Sequence, residues 1–437
     1  MSSKDSITFR IQPCYSVSGK PVIPGDKSIS HRAIILAAIA DGNSKINNFL
    51  QADDTLATIT VFKKMGVNIE NNVQNTIVRG VGLYGLYAEN PTFDFGNSGT
   101  SVRLLAGLLS SQKFNSKLVG DESLMQRPMS RIINPLQQMN AKISCTTSGT
   151  LPIKIEGNQE IKSIDYKLPV ISAQLKSCLL LAGLYAEGTT KIYEETQTRD
   201  HTERMLSNFS HPVMKKSNQI FIKKAKRLIG CEINVPGDFS SAAYFIVAAV
   251  ITPNSNIILD NVGVNPTRSA MIKILKLMGA NIELKNERVV SGEPVATICA
   301  KTSELFGIEI PKEFVPIAID ELPIILIAAA CAKGKTRLTG AQELRIKESD
   351  RIQSMSDGFL NLNIKIEQFD DGMIVEGGEF SGGIINSNDD HRIAMAFAIA
   401  GIISKESIVI NNCKNVATSF PNFISTAKEV GMNIDYV

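Results

Sequence analysis

Gly25-Asp26-Lys27-Ser28-Ile29-Ser30-His31-Arg32 runs without a break into Ala33-Ile34-Ile35-Leu36-Ala37-Ala38-Ile39-Ala40. The second half carries no charge and predicts a helix covered on all sides, with the polar half as its first turn. A helix start holds unpaired N–H groups and about half a positive charge, so it attracts anions. Lys27 and Arg32 suit this one to a phosphate, although Asp or Ser at such a place is also a plain N-cap. Its weight comes from repetition.

Similar apolar helices, each followed by a turn and a strand, recur around Ala37, Ala106, Ala182, Ala248, Ala328 and Ala400, spaced roughly 66 to 80 residues apart. The predicted strands are 42–49, 115–119, 188–193, 254–259, 334–338 and 406–410. A second helix then ends in a shared tail: Met65-Gly66-Val67, Met139-Asn140-Ala141, Met278-Gly279-Ala280, Asn361-Leu362-Asn363 and Val430-Gly431-Met432, with a weak version at 206–209. A small residue after the helix fits a left-handed C-cap, and the alternating residues beyond it read as a strand. The unit is therefore helix–strand–helix–strands, six times over. Six units without a long linker predict two lobes of three, with crossings near 235–237 and 19–23. The lobes are placed at 22–236 and at 1–21 plus 237–437, and the active site is expected in the cleft between them. The first strand, 6–13, is expected to pair in the C-terminal lobe.

The six apolar-helix starts read Lys27-Ser28, Asn97-Ser98-Gly99-Thr100, Ser172-Ala173-Gln174, Asp238-Phe239-Ser240-Ser241, Asp320-Glu321 and Asp389-Asp390-His391-Arg392. The first three offer neutral polar groups or a cation, which leaves the dipole open to an outside anion; the last three bring Asp as cap or base. Arg103, Arg127, Lys176, Arg199, Lys347, Arg351 and Arg392 cluster near the same turns, and Arg is the residue that grips carboxylate and phosphate with two donors.

Composition narrows the rest. The chain of 437 residues is long enough for about two to three domains. A net charge of +3 with no dense basic run argues against nucleic-acid binding, so any anion site has to come from local placement of cations. Seven scattered Cys and four unpaired His give no metal-ligand spacing and point to a reducing compartment. The N-terminus lacks an apolar signal core, and the apolar series at 393–404 is too short to span a bilayer. A cytoplasmic protein without membrane attachment, metal or cofactor is expected. Two tempting motifs fail. GVGLYG at 80–85 leads to Pro91 and a strand instead of a helix, and Gly334-Lys335-Thr336 lacks the first glycine of a P-loop.

Ordered strings along the whole chain resemble the 5-enolpyruvylshikimate-3-phosphate (EPSP) synthase family. They are GDKSISHR (25–32), FGNSGTSVRLLAG (95–107), DESLMQRPM (121–129), ISAQLKSCLLLAG (171–183), TRDHTERML (198–206), PGDFSSAAYF (236–245), IDELP (319–323), ELRIKESDR (343–351) and DDHRIAMAFA (389–398). The resemblance implies an α/β fold of two similar lobes, each of three βαβαββ units in an inside-out α/β barrel. It implies a monomeric transferase that moves the enolpyruvyl group of phosphoenolpyruvate to the 5-hydroxyl of shikimate-3-phosphate. Phosphate is released through a tetrahedral intermediate, in the route to chorismate and the aromatic amino acids.

By matching motif, Lys27, Ser28, Arg32, Ser172, Ala173, Gln174, Arg199, Asp320 and Lys347 are expected at shikimate-3-phosphate. Lys27, Asn97, Gly99, Arg127, Gln174, Lys347, Arg351 and Arg392 are expected at phosphoenolpyruvate. Asp320, Glu348 and Lys27 are the implied acid–base groups: Asp320 toward the hydroxyl, the other two at the enolpyruvyl carbon. Such a set suits two substrates that each bring a phosphate and a carboxylate. Some positions depart from the frequent pattern: Thr418 stands before Ser419-Phe420-Pro421 where Lys is frequent, Glu343-Leu344 precede the Arg-x-Lys-Glu string, and Ala173 replaces a frequent Ser. Together these resemble the divergent class II branch, which includes glyphosate-tolerant members, although Gly99 is the residue of sensitive ones. The related UDP-N-acetylglucosamine enolpyruvyl transferases need a reactive Cys after the second apolar helix, and 110–127 contains none. A non-catalytic binding protein would have lost the carboxylates, which are present.

Overall fold

The structure, a computed structural model, describes residues 7–72, 74–89 and 91–437. The six apolar series form the helices Lys27–Ala38, Gly99–Leu109, Ala173–Gly183, Phe239–Ile251, Leu322–Ala330 and His391–Gly401, with nearly every residue buried. Apolar on all faces, they form the interior, and the sheets lie outside them. Five have a side-chain cap: Asp26 accepts from Ile29, Ser98 from Ser101, Ser172 from Leu175, Asp238 from Ser241 and Asp390 from Arg392. The Leu322–Ala330 helix has Glu321 at its cap position without such a bond, and Pro323 in its first turn.

Each repeat follows its apolar helix with a strand, and these are Asp41–Asn47, Ser116–Val119, Thr189–Tyr193, Asn256–Gly263, Lys335–Leu338 and Ile408–Asn411. The second helix of each repeat ends in a joint with positive φ, at Gly66, Asn140, Ser210, Gly279, Asn363 and Gly431. The weak third tail thus falls at Ser210, just beyond the expected 206–209. Among the described residues five of the sheets have four strands and one has three. In the second repeat Thr92–Asp94 runs parallel to Ser116–Val119, which pairs antiparallel with Ile153–Ile155, itself beside Ile143–Ser144.

The chain crossings explain two sheets that borrow a strand. Glu232–Asn234, just before the fourth repeat, pairs with Asp41–Asn47 of the first, while Ser18–Gly19, just before the first, pairs with Asn256–Gly263 of the fourth. The N-terminal strand Phe9–Gln12 sits between Ile408–Asn411 and Asn433–Tyr436 and completes the sixth sheet. It lies within the expected 6–13, of which Ser6 is outside the described residues.

Two compact units result. One comprises Gly25–Val235 with Val289–Glu293; the other comprises the residues up to Pro24, Pro236–Arg288 and Pro294–Val437. The limits differ from the expected 22–236 by a few residues, and the turn at 289–293 is an addition that no composition signal marks. Each unit has its own core around its apolar helices. Among the described residues no helix is long and apolar enough to cross a membrane.

One packing contact sets where the helix starts of the Gly25–Val235 unit lie. Gly107 lets the Gly99–Leu109 helix close on Ala173–Gly183, since a Cβ at this glycine would fall 2.1 Å from the Cys178 carbonyl oxygen. Gly107→Ala should therefore cost about 1–3 kcal/mol by overpacking, read as a lower urea midpoint with an unchanged slope. A midpoint equal to that of the parent would show that the helices separate freely.

Candidate active site

In the Gly25–Val235 unit the first helix start behaves differently from expectation. Asp26 accepts from the Ile29 amide at 2.8 Å, so this dipole is already capped by a carboxylate. The cationic character comes instead from side chains. Lys27 forms an ion pair with Asp54, which opens the neighbouring helix Asp53–Lys64. Arg32, only 3 % exposed, spends three donors on neutral oxygens: Nε on Thr202 Oγ1 at 2.7 Å, one terminal nitrogen on the Ser28 carbonyl at 2.9 Å, the other on Ser177 Oγ at 2.8 Å. Among the described residues it has no carboxylate within 4 Å. Burial pulls its pKa down to about 10, against the pull of Glu203 and Asp26, with Arg199 adding repulsion.

The second and third helix starts share one cluster. Arg103 donates to Gln174 Oε1 at 2.8 Å and to the Pro128 carbonyl at 3.3 Å. Gln174 in turn donates to Thr100 Oγ1 at 3.1 Å. Arg127 bonds Asn97 Oδ1 at 2.5 Å and Ser123 Oγ at 3.2 Å, while Asn97 donates to Asp121 at 2.7 Å. Gly99 lies against both guanidiniums: a Cβ there would sit 2.9 Å from a terminal nitrogen of Arg103 and 3.2 Å from one of Arg127. Ser172 caps its own helix through the Leu175 amide at 3.3 Å, with half-buried Ala173 and Gln174 following it. Arg199 is half-buried, one residue before the N-cap position of the helix His201–Asn208.

One residue of this unit corrects the sequence picture. Lys176, grouped with the anion-gathering cations, is fully buried and held by Glu203 at 2.7 Å and Glu194 at 3.1 Å, so its charge is spent internally. His31 is also buried, with Nδ1 at 2.8 Å from Thr58 Oγ1 and 3.1 Å from Ser101 Oγ. Burial, then Lys27 and Arg32, push its pKa well below the ordinary histidine range, and the ring is neutral.

The other unit holds Asp320, Lys347, Glu348, Arg351 and Arg392. Arg351 is fully buried at the first position of its helix Arg351–Asn361. Its Nε reaches Asp390 at 2.7 Å, one terminal nitrogen reaches Glu348 at 2.6 Å, and the other lies 3.7 Å from Asp320. Burial opposes this charge, but Asp390 and Glu348 outweigh it and hold the pKa above the ordinary value. Asp390 is held low in return, burial being overcome by Arg351. Arg392 donates to the Asp320 carbonyl at 3.0 Å, and although burial opposes its charge, Asp320, Tyr244, Glu321 and Asp238 together hold its pKa above the ordinary value. The expected cap role of Asp320 belongs to no side chain: Glu321 occupies that position, and the Asp320 carboxylate turns to the two arginines.

Lys347 is different. It has no hydrogen bond or ion pair within 4 Å among the described residues, and burial lowers its pKa. A half-buried ammonium that no carboxylate touches favours an anion beside it.

Sequence reasoning missed Asp54, Ser177, Thr202 and Asp390 as partners of the expected groups. Thr202 lay inside the TRDHTERML string and Ser177 inside ISAQLKSCLLLAG, so position was the available signal. Among the described residues no group of His, Cys, Asp and Glu is placed to hold a metal ion.

Comparison with known proteins adds to this geometry. A family model described as EPSP synthase (3-phosphoshikimate 1-carboxyvinyltransferase) matches residues 11–426. The 3-phosphoshikimate 1-carboxyvinyltransferase of Legionella pneumophila (strain Corby) is 53% identical over 98% of this chain and 99% of its own length. That of Methylococcus capsulatus is 50% identical over both full lengths. A solved EPSP synthase from Acinetobacter baumannii superposes with a TM-score of 0.89 at 48% identity, covering 99% of this chain and 100% of that one. Matched along nearly its whole length in sequence and in fold, the chain belongs to the EPSP synthase family of transferases.

Proposed function

We propose that this chain transfers the enolpyruvyl group of phosphoenolpyruvate to the 5-hydroxyl of shikimate-3-phosphate and that both clusters serve this one reaction. The observation that carries it is Arg351, a buried guanidinium that gathers two carboxylates 28 residues apart in sequence, Glu348 and Asp320. Arg32, Ser28, Ser172, Gln174 and Arg199 hold shikimate-3-phosphate, with Ala173 leaving room beside it. Asn97, Gly99, Arg127, Lys347, Arg351 and Arg392 receive phosphoenolpyruvate. In the addition step Asp320 takes the proton of the 5-hydroxyl, whose oxygen bonds C2 of phosphoenolpyruvate as C3 gains a proton. In the elimination step C3 loses a proton and the C–O bond to phosphate breaks. Lys27 and Glu348 share the transfers at C3. Arg351 keeps both carboxylates oriented until the substrate is in place.

Glu348→Gln and Asp320→Asn should each lower kcat by about 10²- to 10⁴-fold. The assay is phosphate release from phosphoenolpyruvate with shikimate-3-phosphate or UDP-N-acetylglucosamine as acceptor. Turnover of the parent on the nucleotide sugar, or undiminished kcat in both variants, would defeat the reading.

Gly99→Ala places a methyl against the Arg103 and Arg127 guanidiniums. The KM for phosphoenolpyruvate should rise about tenfold, equivalent to ~1.4 kcal/mol, with a smaller change in the KM for shikimate-3-phosphate. Equal effects on both substrates would place Gly99 elsewhere in the chemistry.

The lowered pKa of Lys347 has a signed consequence. The ammonium loses its proton at a lower pH than an ordinary lysine, so substrate KM values should climb early on the alkaline side. Lys347→Arg, whose guanidinium stays charged, should move that limb to higher pH. Identical alkaline profiles of parent and variant would rule Lys347 out as the group responsible.

A further inference from the structure

The buried polar groups around Arg32 form a support that the proposed reaction does not itself use. Ser177 comes from the helix Ala173–Gly183 and Thr202 from the helix His201–Asn208. Thr202 Oγ1 donates to Ser177 Oγ at 2.8 Å, and Arg32 donates to both of them, so the three groups close a ring. Each hydroxyl is at least nine-tenths buried. Of the five guanidinium donors, three are spent on this ring and on the Ser28 carbonyl, and one remains on each terminal nitrogen. A donor left on each of the two terminal nitrogens suits two oxygens of one anion.

The neighbouring positions on the same two helices carry charge. Lys176 precedes Ser177 and Glu203 follows Thr202, and these meet at 2.7 Å. Two parallel contacts thus join the helices, a neutral one facing Arg32 and an ionic one beside it. Glu203 exerts the largest attraction on the Arg32 charge, yet its carboxylate is engaged by Lys176 rather than by Arg32. A carboxylate on Arg32 would compete directly with an anionic substrate.

We propose that Ser177 and Thr202 are positioning residues that aim the Arg32 guanidinium at the phosphate or carboxylate of shikimate-3-phosphate without neutralising it, while Lys176 keeps Glu203 from closing on it. The proposal rests on the reading of Arg32 as a ligand of that substrate. The hydroxyls act as acceptors because an acceptor without charge fixes the plane of the guanidinium and leaves its attraction for the incoming anion intact.

The test compares Ser177→Ala, Thr202→Val, Ser177→Asp and Arg32→Gln by steady-state kinetics, with thermal unfolding as the check on folding. Ser177→Ala and Thr202→Val should each raise the KM for shikimate-3-phosphate about tenfold, more than they change kcat or the KM for phosphoenolpyruvate. Ser177→Asp, which supplies the missing counter-ion, should raise it further. Thr202→Ser, which keeps the hydroxyl, should restore most of the loss seen in Thr202→Val. Should Thr202→Val fail to fold, Ser177→Ala and Ser177→Asp carry the comparison. A KM at the parent value in both hydroxyl deletions, with Arg32→Gln impaired, would overturn this inference and leave the role of Arg32 standing. A parent-like KM in Arg32→Gln would overturn that role and this inference with it.

Discussion

An all-apolar helix has to be covered on every side, yet its first turn still presents N–H groups that require acceptors. That conflict is met six times here, and the solution shapes everything around it. Asp26, Ser98, Ser172, Asp238 and Asp390 place a side-chain oxygen on the exposed donors, so polar groups are drawn to one end of each interior helix. Once polar caps are gathered there, cations and carboxylates can join them at lower cost than anywhere else in an apolar core. Several of the residues proposed for the reaction lie at the helix starts, which are the places where the fold already has to tolerate polarity.

The two units use that tolerance in different ways. Around Arg32 the bonded partners are hydroxyls and a carbonyl, which orient a guanidinium and leave its charge available. Around Arg351 the partners are carboxylates, and the same kind of side chain becomes a clamp for acids. The first arrangement suits capture of anions; the second suits control of where protons sit. Removing one member of a buried ionic pair leaves its partner charged and unsatisfied, so the Arg351 cluster stands or falls as a unit. Arg32 does not carry that liability, since its bonded partners are neutral.

Much of the fold was legible because it repeats. A run such as 322–330, with no charge and no gap in its apolar surface, has few alternatives to an interior helix. The glycine or asparagine that ends five of the second helices marks the left-handed residue of the joint, and only Ser210 in the third repeat conceals it. The borrowed strands were harder to see, because Glu232–Asn234 and Ser18–Gly19 are short and their partners lie some two hundred residues away. The residues proposed for the site came from motifs that resemble a family, and several of those motifs lie at the same helix starts.

What a linear reading lacked was partnership. Lys176 and Arg32 look alike on paper, each a cation in the first turns of an apolar helix. Their fates part because Glu194 and Glu203 fold onto one and only hydroxyls and a carbonyl onto the other. Asp320 and Glu321 differ likewise by a single step of the chain. One takes the cap position and is buried against Ser240, while its neighbour turns to Arg351 and Arg392. Whether a charge is left open or is paired is a property of three-dimensional neighbours. Residue type and spacing therefore identify the groups available for chemistry, and packing decides which of them remain available.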